Sequence, residues 1–138
     1  MSTIFSKIIE GELPCFKVYE DNIVLAFLDI NPIHPGHTLV VPKKPFIDGI
    51  ETDPEILAHI IKIGQKIAIV QKETLKCGGV NFLMSNGAAA GQEVFHTHLH
   101  VIPRFEGDGV FNSVEHGKYK DGEAEGLAVT IADALSNN

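Results

Sequence analysis

The sequence predicts an α+β fold, in which hairpin-like pairs of strands are separated by helical segments. Short runs of β-branched and aromatic residues alternate with turn residues such as Asp21 and Asn22. One long segment carries isoleucines at helical spacing. No regular alternation of strand and helix runs through the chain, so a parallel βαβ sheet is disfavoured.

The first 41 residues are predicted to form one short helix and three strands. Apolar residues recur at helical spacing from Ile4 to Ile9, and Gly11 follows where a helix would end. Residues 16–19 and 23–30 are rich in strand-forming residues and form a predicted hairpin. The segment NPIHPG interrupts the strand pattern, which resumes at residues 37–41.

The longest predicted helix follows this third strand and ends near Lys76. Two starts are compatible with the sequence. Thr52 and Glu55 match a capping box, whereas Asp53 is equally suited to cap a helix with Pro54 in its first position. Isoleucines then recur at alternating spacings of four and three residues, as one apolar helix face requires.

The second half is predicted to contain two more strands and a final helix. Gly78 and Gly79 are expected to close the long helix, and residues 80–84 to open a strand. The small-residue loop SNGAAAGQ leads into a strand that ends near Arg104. A glycine-rich stretch then precedes a helix of about twelve residues ending near Leu135.

Composition limits the classes of function. A chain of 138 residues, 44% of them apolar, is expected to form a single domain over residues 1–138. It has neither an apolar run of membrane-spanning length nor the basic flank of a signal peptide, and Cys15 and Cys77 lack zinc-like spacing. We therefore expect a cytoplasmic protein without a membrane partner. The formal charge of −7 argues against a nucleic-acid surface, although imidazoles and backbone N–H groups can still bind a small anion.

Three histidines at alternate positions, His96, His98 and His100, are the most informative feature of the chain. Apolar or β-branched residues lie between them, so the segment is predicted to form a half-buried strand. Because side chains alternate along a strand, all three imidazoles are expected on one face.

These imidazoles permit three interpretations. A polar strand face with satisfied histidines needs no function at all. A shared metal ion requires nitrogens about 2.0 to 2.1 Å away, whereas His96 and His100 start roughly 13 Å apart on a strand. Catalysis is favoured, because imidazole changes protonation near neutral pH and serves as nucleophile, acid or base.

His98 is the candidate nucleophile, and His100 is placed to donate a hydrogen bond to a developing oxyanion. The preceding small-residue loop favours a phosphorus centre, since its backbone N–H groups can approach an anion closely and Gln92 adds an amide donor. A flexible connector is the alternative for this loop. Neither the Walker nor the dinucleotide-binding pattern occurs.

Four further residues allow two interpretations each. Asp29 suits either the cap of a turn at Asn31 or an acceptor for a ribose diol. His34 and His37 are compatible with turn histidines as well as with a site, and Glu93 with a solvated side chain.

Longer stretches carry a resemblance to a known family. IFSKIIEGELP, VYEDNIVLAFLDINPIHPGHTLVVPKK and NGAAAGQEVFHTHLHVIPR resemble, in order and spacing, the histidine triad (HIT) superfamily, nearest to its Hint branch and bacterial relatives. The resemblance covers about Ile4 to Arg104, and the tail 105–138 matches poorly. It implies a five-stranded antiparallel sheet with one long and one or two short helices. It also implies a homodimer, and hydrolysis at the α-phosphate of a nucleotide through a nucleotidyl-histidine intermediate.

The resemblance assigns roles to individual residues. His98 would be the nucleophile, His100 would contact the α-phosphate, the backbone of His96 would fix the tautomer of His98, and His37 would lie in the histidine network behind the site. Asp29 would bind ribose. Two further groups would form the base pocket and the phosphate loop: Phe5, Ile8, Phe27, Leu28 and Ile30 for the pocket, and Asn86, Gly91, Gln92, Glu93 and Val94 for the loop. Glu93 stands where some relatives carry a serine that assists the leaving group.

Some members of the superfamily hold a structural zinc ion through two cysteines near the start, a histidine after PKK and the first triad histidine. The corresponding positions here are Thr3, Ser6, Pro45 and His96. One ligand cannot hold zinc, so we expect neither a metal nor a cofactor.

The leading hypothesis is hydrolysis of purine nucleoside 5′-phosphoramidates or related conjugates of AMP or GMP. A dinucleoside polyphosphate hydrolase, in which the leaving group is a second nucleotide, is an alternative within the same chemistry. A non-catalytic nucleotide-binding regulator is the alternative from another class, and a metal-binding protein is the third.

Overall fold

The computed structural model describes residues 2–138. In chain order the elements are α1 (Ile4–Ile9), β1 (Lys17–Glu20), β2 (Val24–Leu28), β3 (Thr38–Pro42), α2 (Pro54–Leu75), β4 (Gly79–Leu83), β5 (Leu99–Arg104) and α3 (Glu123–Ser136). A short 3₁₀ turn, Ala88–Ala90, lies between β4 and β5. The chain divides into two compact units, one ending at Asp108 and one from Gly109 to Asn138. The expectation that residues 1–138 form a single domain stays a prediction.

The five strands form one antiparallel sheet in the order β1-β2-β3-β5-β4. The predicted α+β class and the five-stranded antiparallel sheet are therefore confirmed. A single row crosses the sheet, because Phe27 pairs with Leu39, Leu39 pairs with His100, and His100 pairs with Leu83. Directly paired residues point to the same side of a sheet, so these four side chains share one face.

The two faces of the sheet carry two separate apolar clusters. On one face, the isoleucines of α2 pack against alternate strand residues such as Val40 and Leu99. On the other face, Phe5 of α1 packs against the intervening residues, including Phe27 and Leu39. The central strands are consequently buried on both faces, which explains their nearly continuous apolar sequence.

Close approach of α2 to the sheet depends on Gly64 in the middle of the helix. A Cβ atom added there would lie 2.7 Å from Leu99 Cδ2. The helix can therefore pack close against β5, the strand that carries His100.

The ends of α2 decide between the predicted alternatives. Asp53 caps the helix by accepting a hydrogen bond from the backbone N–H of Glu55, with Pro54 in the first helical position. The predicted closure by the two glycines is wrong. Lys76 takes the left-handed conformation instead, with φ of 58°, while Gly78 donates to the Arg104 carbonyl and Gly79 begins β4.

The predicted histidine strand is only partly formed. β5 begins at Leu99, so His100 lies in a strand whereas His96 and His98 precede it. The Thr97 N–H donates to the Phe46 carbonyl rather than to a neighbouring strand, at 2.9 Å. Pairing with a loop removes the regular pleat, and with it the expectation that all three imidazoles share one face.

The unit from Gly109 to Asn138 contains α3. Its 14 residues begin after Gly122 and include Leu135, close to the predicted helix. Among residues 2–138, no helix combines the length and hydropathy that crossing a membrane requires.

Candidate active site

A cavity of about 680 Å³ opens on the sheet face that carries His100, opposite α2. Its floor includes the row of paired residues from Phe27 to Leu83, and α1 supplies Phe5. Apolar groups dominate the walls, and Asp29 lies beside His37 and His100 among the polar groups.

The cavity brings together most of the residues that the sequence singled out. Those that line it are Phe5, Ile8, Phe27, Leu28, Asp29, Ile30, His37, Gly91, Gln92, Glu93, Val94, His98 and His100. Asn86 and His96 do not line it. His34 lies elsewhere, with its Nε2 atom 2.9 Å from an Asp108 carboxylate oxygen.

The ring of His98 is held by its own local backbone. Its Nδ1 atom lies 2.7 Å from the His96 carbonyl oxygen, which can only accept, so Nδ1 carries the proton. The ring packs edge-on against Phe5, with centroids 5.0 Å apart. The Nε2 atom of this buried imidazole is thus left with a free lone pair, as a nucleophile requires.

His37 and His100 form a relay whose tautomers are fixed from one end. The backbone N–H of Ile33 donates to His37 Nδ1 at 3.1 Å, so the proton of that ring is on Nε2. His37 Nε2 then donates to His100 Nδ1 at 2.8 Å. His100 must therefore carry its proton on Nε2, which becomes a hydrogen-bond donor for a ligand.

Burial keeps these imidazoles neutral. It lowers the pKa of His37, His96 and His98 below the ordinary value of 6.5. For His100, burial and the neighbouring His98 and His37 lower the pKa to about 4, against an opposing effect of Asp29. Neutral rings at physiological pH are what a nucleophile and its orienting partners need.

His96 is buried away from the cavity. Its Nε2 atom donates to the Pro42 carbonyl at 2.8 Å, and its own carbonyl accepts from His98. It acts on the cavity only through the backbone, so two of the three alternate imidazoles, not three, face the candidate site.

Asp29 caps a turn, as one of its two interpretations predicted, and its position on the cavity wall is compatible with the other. Its Oδ1 atom accepts from the Asn31 N–H at 2.9 Å and thereby caps the turn. Its Oδ2 atom lies 3.6 Å from His37 Nε2 on the cavity wall. One carboxylate oxygen therefore orders the turn while the other remains available to a ligand hydroxyl.

The loop before the histidines is braced rather than flexible. Gln92 accepts from the Gly87 N–H at 2.7 Å and donates to the carbonyls of Ile47 and Val94. Asn86 accepts from the Gly49 N–H at 2.7 Å. Both donors of the Gln92 amide are used inside the protein, so the prediction that it donates to an anion is wrong.

Backbone N–H groups are the donors that this loop leaves available in the cavity. In the part of the chain that the structure describes, the N–H groups of Glu93 and Val94 have no hydrogen-bond partner, and both residues line the cavity. The Glu93 side chain is exposed and also lacks a partner.

Sequence reasoning missed several lining residues: Ile4, Leu13, Pro14, Cys15, Asn31, Ile33, Leu39, Leu83 and Ser85. Leu39 and Leu83 could have been found only from strand register, since both pair with His100. The backbone contribution of Ile33 leaves no signal in sequence.

The residues at the positions where some superfamily members hold zinc are engaged in other contacts. The hydroxyls of Thr3 and Ser6 form the hydrogen bonds of the capping box at the start of α1. The Nε2–H group of His96 donates a hydrogen bond to the Pro42 carbonyl. Asp29, His37 and His100 form a different group, each offering one ligand atom within 4.8 Å of the others. Within this group, His37 Nε2 and His100 Nδ1 are joined by a hydrogen bond.

Comparison with known proteins identifies the family. The HIT domain matches residues 10–107. The chain belongs to the HIT family. An uncharacterized HIT-like protein of Methanocaldococcus jannaschii is 51% identical over 118 residues, covering 86% of this chain and 89% of its own. A crystal structure of a HIT family protein from Bacillus anthracis is 45% identical, with a TM-score of 0.86 and 95% coverage of both chains.

One relative of this HIT protein carries a named activity. The adenylylsulfatase HINT3 of Arabidopsis thaliana is 42% identical over 134 residues, which cover 93% of this chain and 66% of the relative. Membership places the chain among nucleotide-binding proteins and hydrolases.

Proposed function

We propose that this HIT protein hydrolyses purine nucleoside 5′-phosphoramidates, or related conjugates of AMP or GMP, through a covalent nucleotidyl intermediate on His98. The single observation that carries the proposal is the 2.7 Å hydrogen bond from His98 Nδ1 to the His96 carbonyl. It leaves the opposite ring nitrogen unprotonated, in a cavity large enough for a nucleotide.

The first step is attack of His98 Nε2 on the α-phosphorus. A bond from nitrogen to phosphorus forms, and the bond from phosphorus to the leaving amine breaks with its electron pair going to that amine, which takes a proton from solvent. The His98 ring becomes cationic, and the His96 carbonyl stabilises the proton retained on Nδ1. Water then attacks phosphorus, loses a proton, and releases the nucleoside monophosphate and neutral His98.

His100 serves as the donor to a non-bridging phosphate oxygen. The relay from Ile33 through His37 holds the His100 proton on Nε2. A preorganised donor of this kind contributes roughly 3 to 4 kcal/mol to transition-state stabilisation. The free N–H groups of Glu93 and Val94 supply further donors for the phosphate.

The apolar part of the cavity is the proposed site of the base. Phe5, Ile8 and Phe27 offer a surface against which a purine ring can pack, and Asp29 Oδ2 is the proposed acceptor for ribose hydroxyls. The other residues proposed to contact the nucleotide are Leu28, Ile30, Gly91 and Gln92. Asn86 does not line the cavity but stabilises the loop by accepting a hydrogen bond from the Gly49 N–H.

We also propose that the protein is a cytoplasmic homodimer. β4 is an edge strand of the sheet, and Phe82 and Leu83 on it are exposed large apolar residues. A second copy would bury them. Light scattering that gives the mass of one chain across micromolar concentrations would contradict the dimer.

Rapid quenching with adenosine 5′-phosphoramidate labelled at phosphorus tests the mechanism. The label should be found on His98 within one turnover, and His98→Asn should lose both label and turnover while it still binds AMP. Turnover by that variant would eliminate the proposed nucleophile.

A second candidate reaction is cleavage of an AMP sulfate conjugate, favoured by the similarity to the adenylylsulfatase. The same preparation should therefore be assayed with a phosphoramidate, an adenylyl sulfate and a dinucleoside polyphosphate. Tight AMP binding without turnover of any of the three would favour a regulator.

A further inference from the structure

We propose that the leaving group of the substrate carries a positive charge that pairs with the Glu93 carboxylate. The substrate class is then a nucleoside 5′-phosphoramidate of a diamine, or of another amine with a second, protonated amino group. This inference rests on the proposed function, because it names the substrate of the same cavity.

The charges of the cavity point to a cation. Of the residues that line it, Asp29 and Glu93 carry carboxylates, and within residues 2–138 no lysine or arginine lines it. The donors available for an α-phosphate are neutral imidazoles and backbone N–H groups. A substrate that adds further negative charge would be repelled by two carboxylates, whereas a substrate with a separate cation would be attracted.

Asp29 already has a structural contact and a proposed ribose contact, whereas Glu93 has neither. Asp29 accepts from the Asn31 N–H and lies 3.6 Å from His37 Nε2. Glu93 has neither a hydrogen bond nor an ion pair to any part of the chain that the structure describes. Its carboxylate is therefore the one without a structural use.

The backbone at Glu93 is nevertheless fixed on both sides. Gln92 is buried and hydrogen-bonded through its amide oxygen and both amide donors, and Val94 packs against the apolar cluster around Phe5. The Glu93 backbone is therefore held in place at the cavity wall, and the exposed side chain extends from there. The carboxylate thus adds negative charge to the part of the cavity that carries the Glu93 and Val94 N–H groups.

Pairing of a cationic leaving group with Glu93 would give this protein a different substrate preference from enzymes whose leaving groups are anionic. A sulfate or a second nucleotide brings negative charge into a cavity with no fixed cation. Near a protein surface, one added charge pair changes affinity by up to about fivefold, and screening by salt reduces the effect.

The test compares three AMP amides of nearly equal size. Ethylenediamine gives a cationic leaving group, propylamine a neutral one, and β-alanine an anionic one. Affinities are measured by calorimetry on full-length protein with His98→Asn, so that hydrolysis does not consume the ligand. Each affinity is repeated with Glu93→Gln added, and with Glu73→Gln as a matched control, because Glu73 is exposed on α2 outside the cavity.

We expect the cationic amide to bind about two- to fivefold more tightly than the neutral amide, and the anionic amide to bind most weakly. Glu93→Gln should bring the ratio of cationic to neutral affinity close to one, whereas Glu73→Gln should keep it. Equal affinities in the parent, or an unchanged ratio in Glu93→Gln, would overturn the inference. Turnover of the same amides by the unaltered enzyme reports the proposed function separately, so its failure is distinguishable from loss of the charge preference.

Discussion

Acidification should lower the free energy of unfolding of this protein at pH values above those at which carboxylates titrate. Among the histidines, His100 is expected to contribute most to this loss. Burial, His98 and His37 lower its pKa to about 4 from the ordinary 6.5. Between these values the unfolded chain binds more protons than the folded one, so stability is fully present above pH 6.5 and falls as the pH approaches 4.

The magnitude follows from the two pKa values. One pKa unit corresponds to about 1.36 kcal/mol, so His100 alone lowers the free energy of unfolding by roughly 2 kcal/mol between pH 7.5 and pH 5. His37, His96 and His98 add losses of the same sign, because burial also lowers their pKa values.

Urea unfolding at fixed protein concentration provides the assay, with measurements at pH 7.5, 6.0 and 5.0. The His100→Asn variant should lose about 2 kcal/mol less than the parent over this range, whatever its stability at pH 7.5. Histidine ¹H–¹⁵N spectra should show His100 still unprotonated at Nδ1 at pH 5.5. The reasoning is refuted if parent and variant lose equal stability, or if His100 titrates near 6.5.

Three further predictions concern the nucleophile, the loop and the turn behind the site. His98→Asn should abolish turnover in a quenched assay and change the Kd for AMP by less than about fivefold, since no step of binding needs its lone pair; wild-type turnover would contradict this. Gln92→Leu should raise KM and lower the free energy of unfolding by about 1 to 3 kcal/mol, because it leaves the Gly87 N–H without its partner; an unchanged KM would show that the brace is not needed. Gly36→Ala should cost about 1 to 2 kcal/mol in urea unfolding, because φ is +98° and the new Cβ would lie 2.5 Å from Leu75 Cδ1; equal stability would mean that the turn relaxes freely.

Local patterns in the sequence were sufficient for most of the fold. The α1 and α2 helices, the hairpin of β1 and β2 and the final helix all follow from spacing, capping and turn residues within short windows. These features depend on contacts between near neighbours, which is why they can be derived without tertiary structure.

The strand that was expected to carry all three imidazoles was not predicted correctly from local patterns. The alternation of His96, His98 and His100 is regular in sequence, yet β5 starts only at Leu99. A contact between Thr97 and Phe46, about 50 residues earlier, replaces strand pairing. A short stretch of sequence around His98 cannot reveal this contact with a residue so far away along the chain.

The site divides in the same way. Residue types identified His98, His100 and Asp29 as groups with suitable chemistry. The sequence could not show that Gln92 uses its amide for hydrogen bonds within the protein, or that Asn86 does not line the cavity. Nor could it show that the Ile33 backbone sets the tautomers of His37 and His100.

The sequence by itself determined which chemical groups are present, their order, and the period-two and period-3.6 patterns that produce the α+β class. Only the tertiary structure decided which ring nitrogen is protonated, which carboxylate is free and which imidazole turns into the core. The physical reason is that propensity and periodicity act between near neighbours, whereas a tautomer and a burial state depend on single hydrogen bonds from residues far away along the chain.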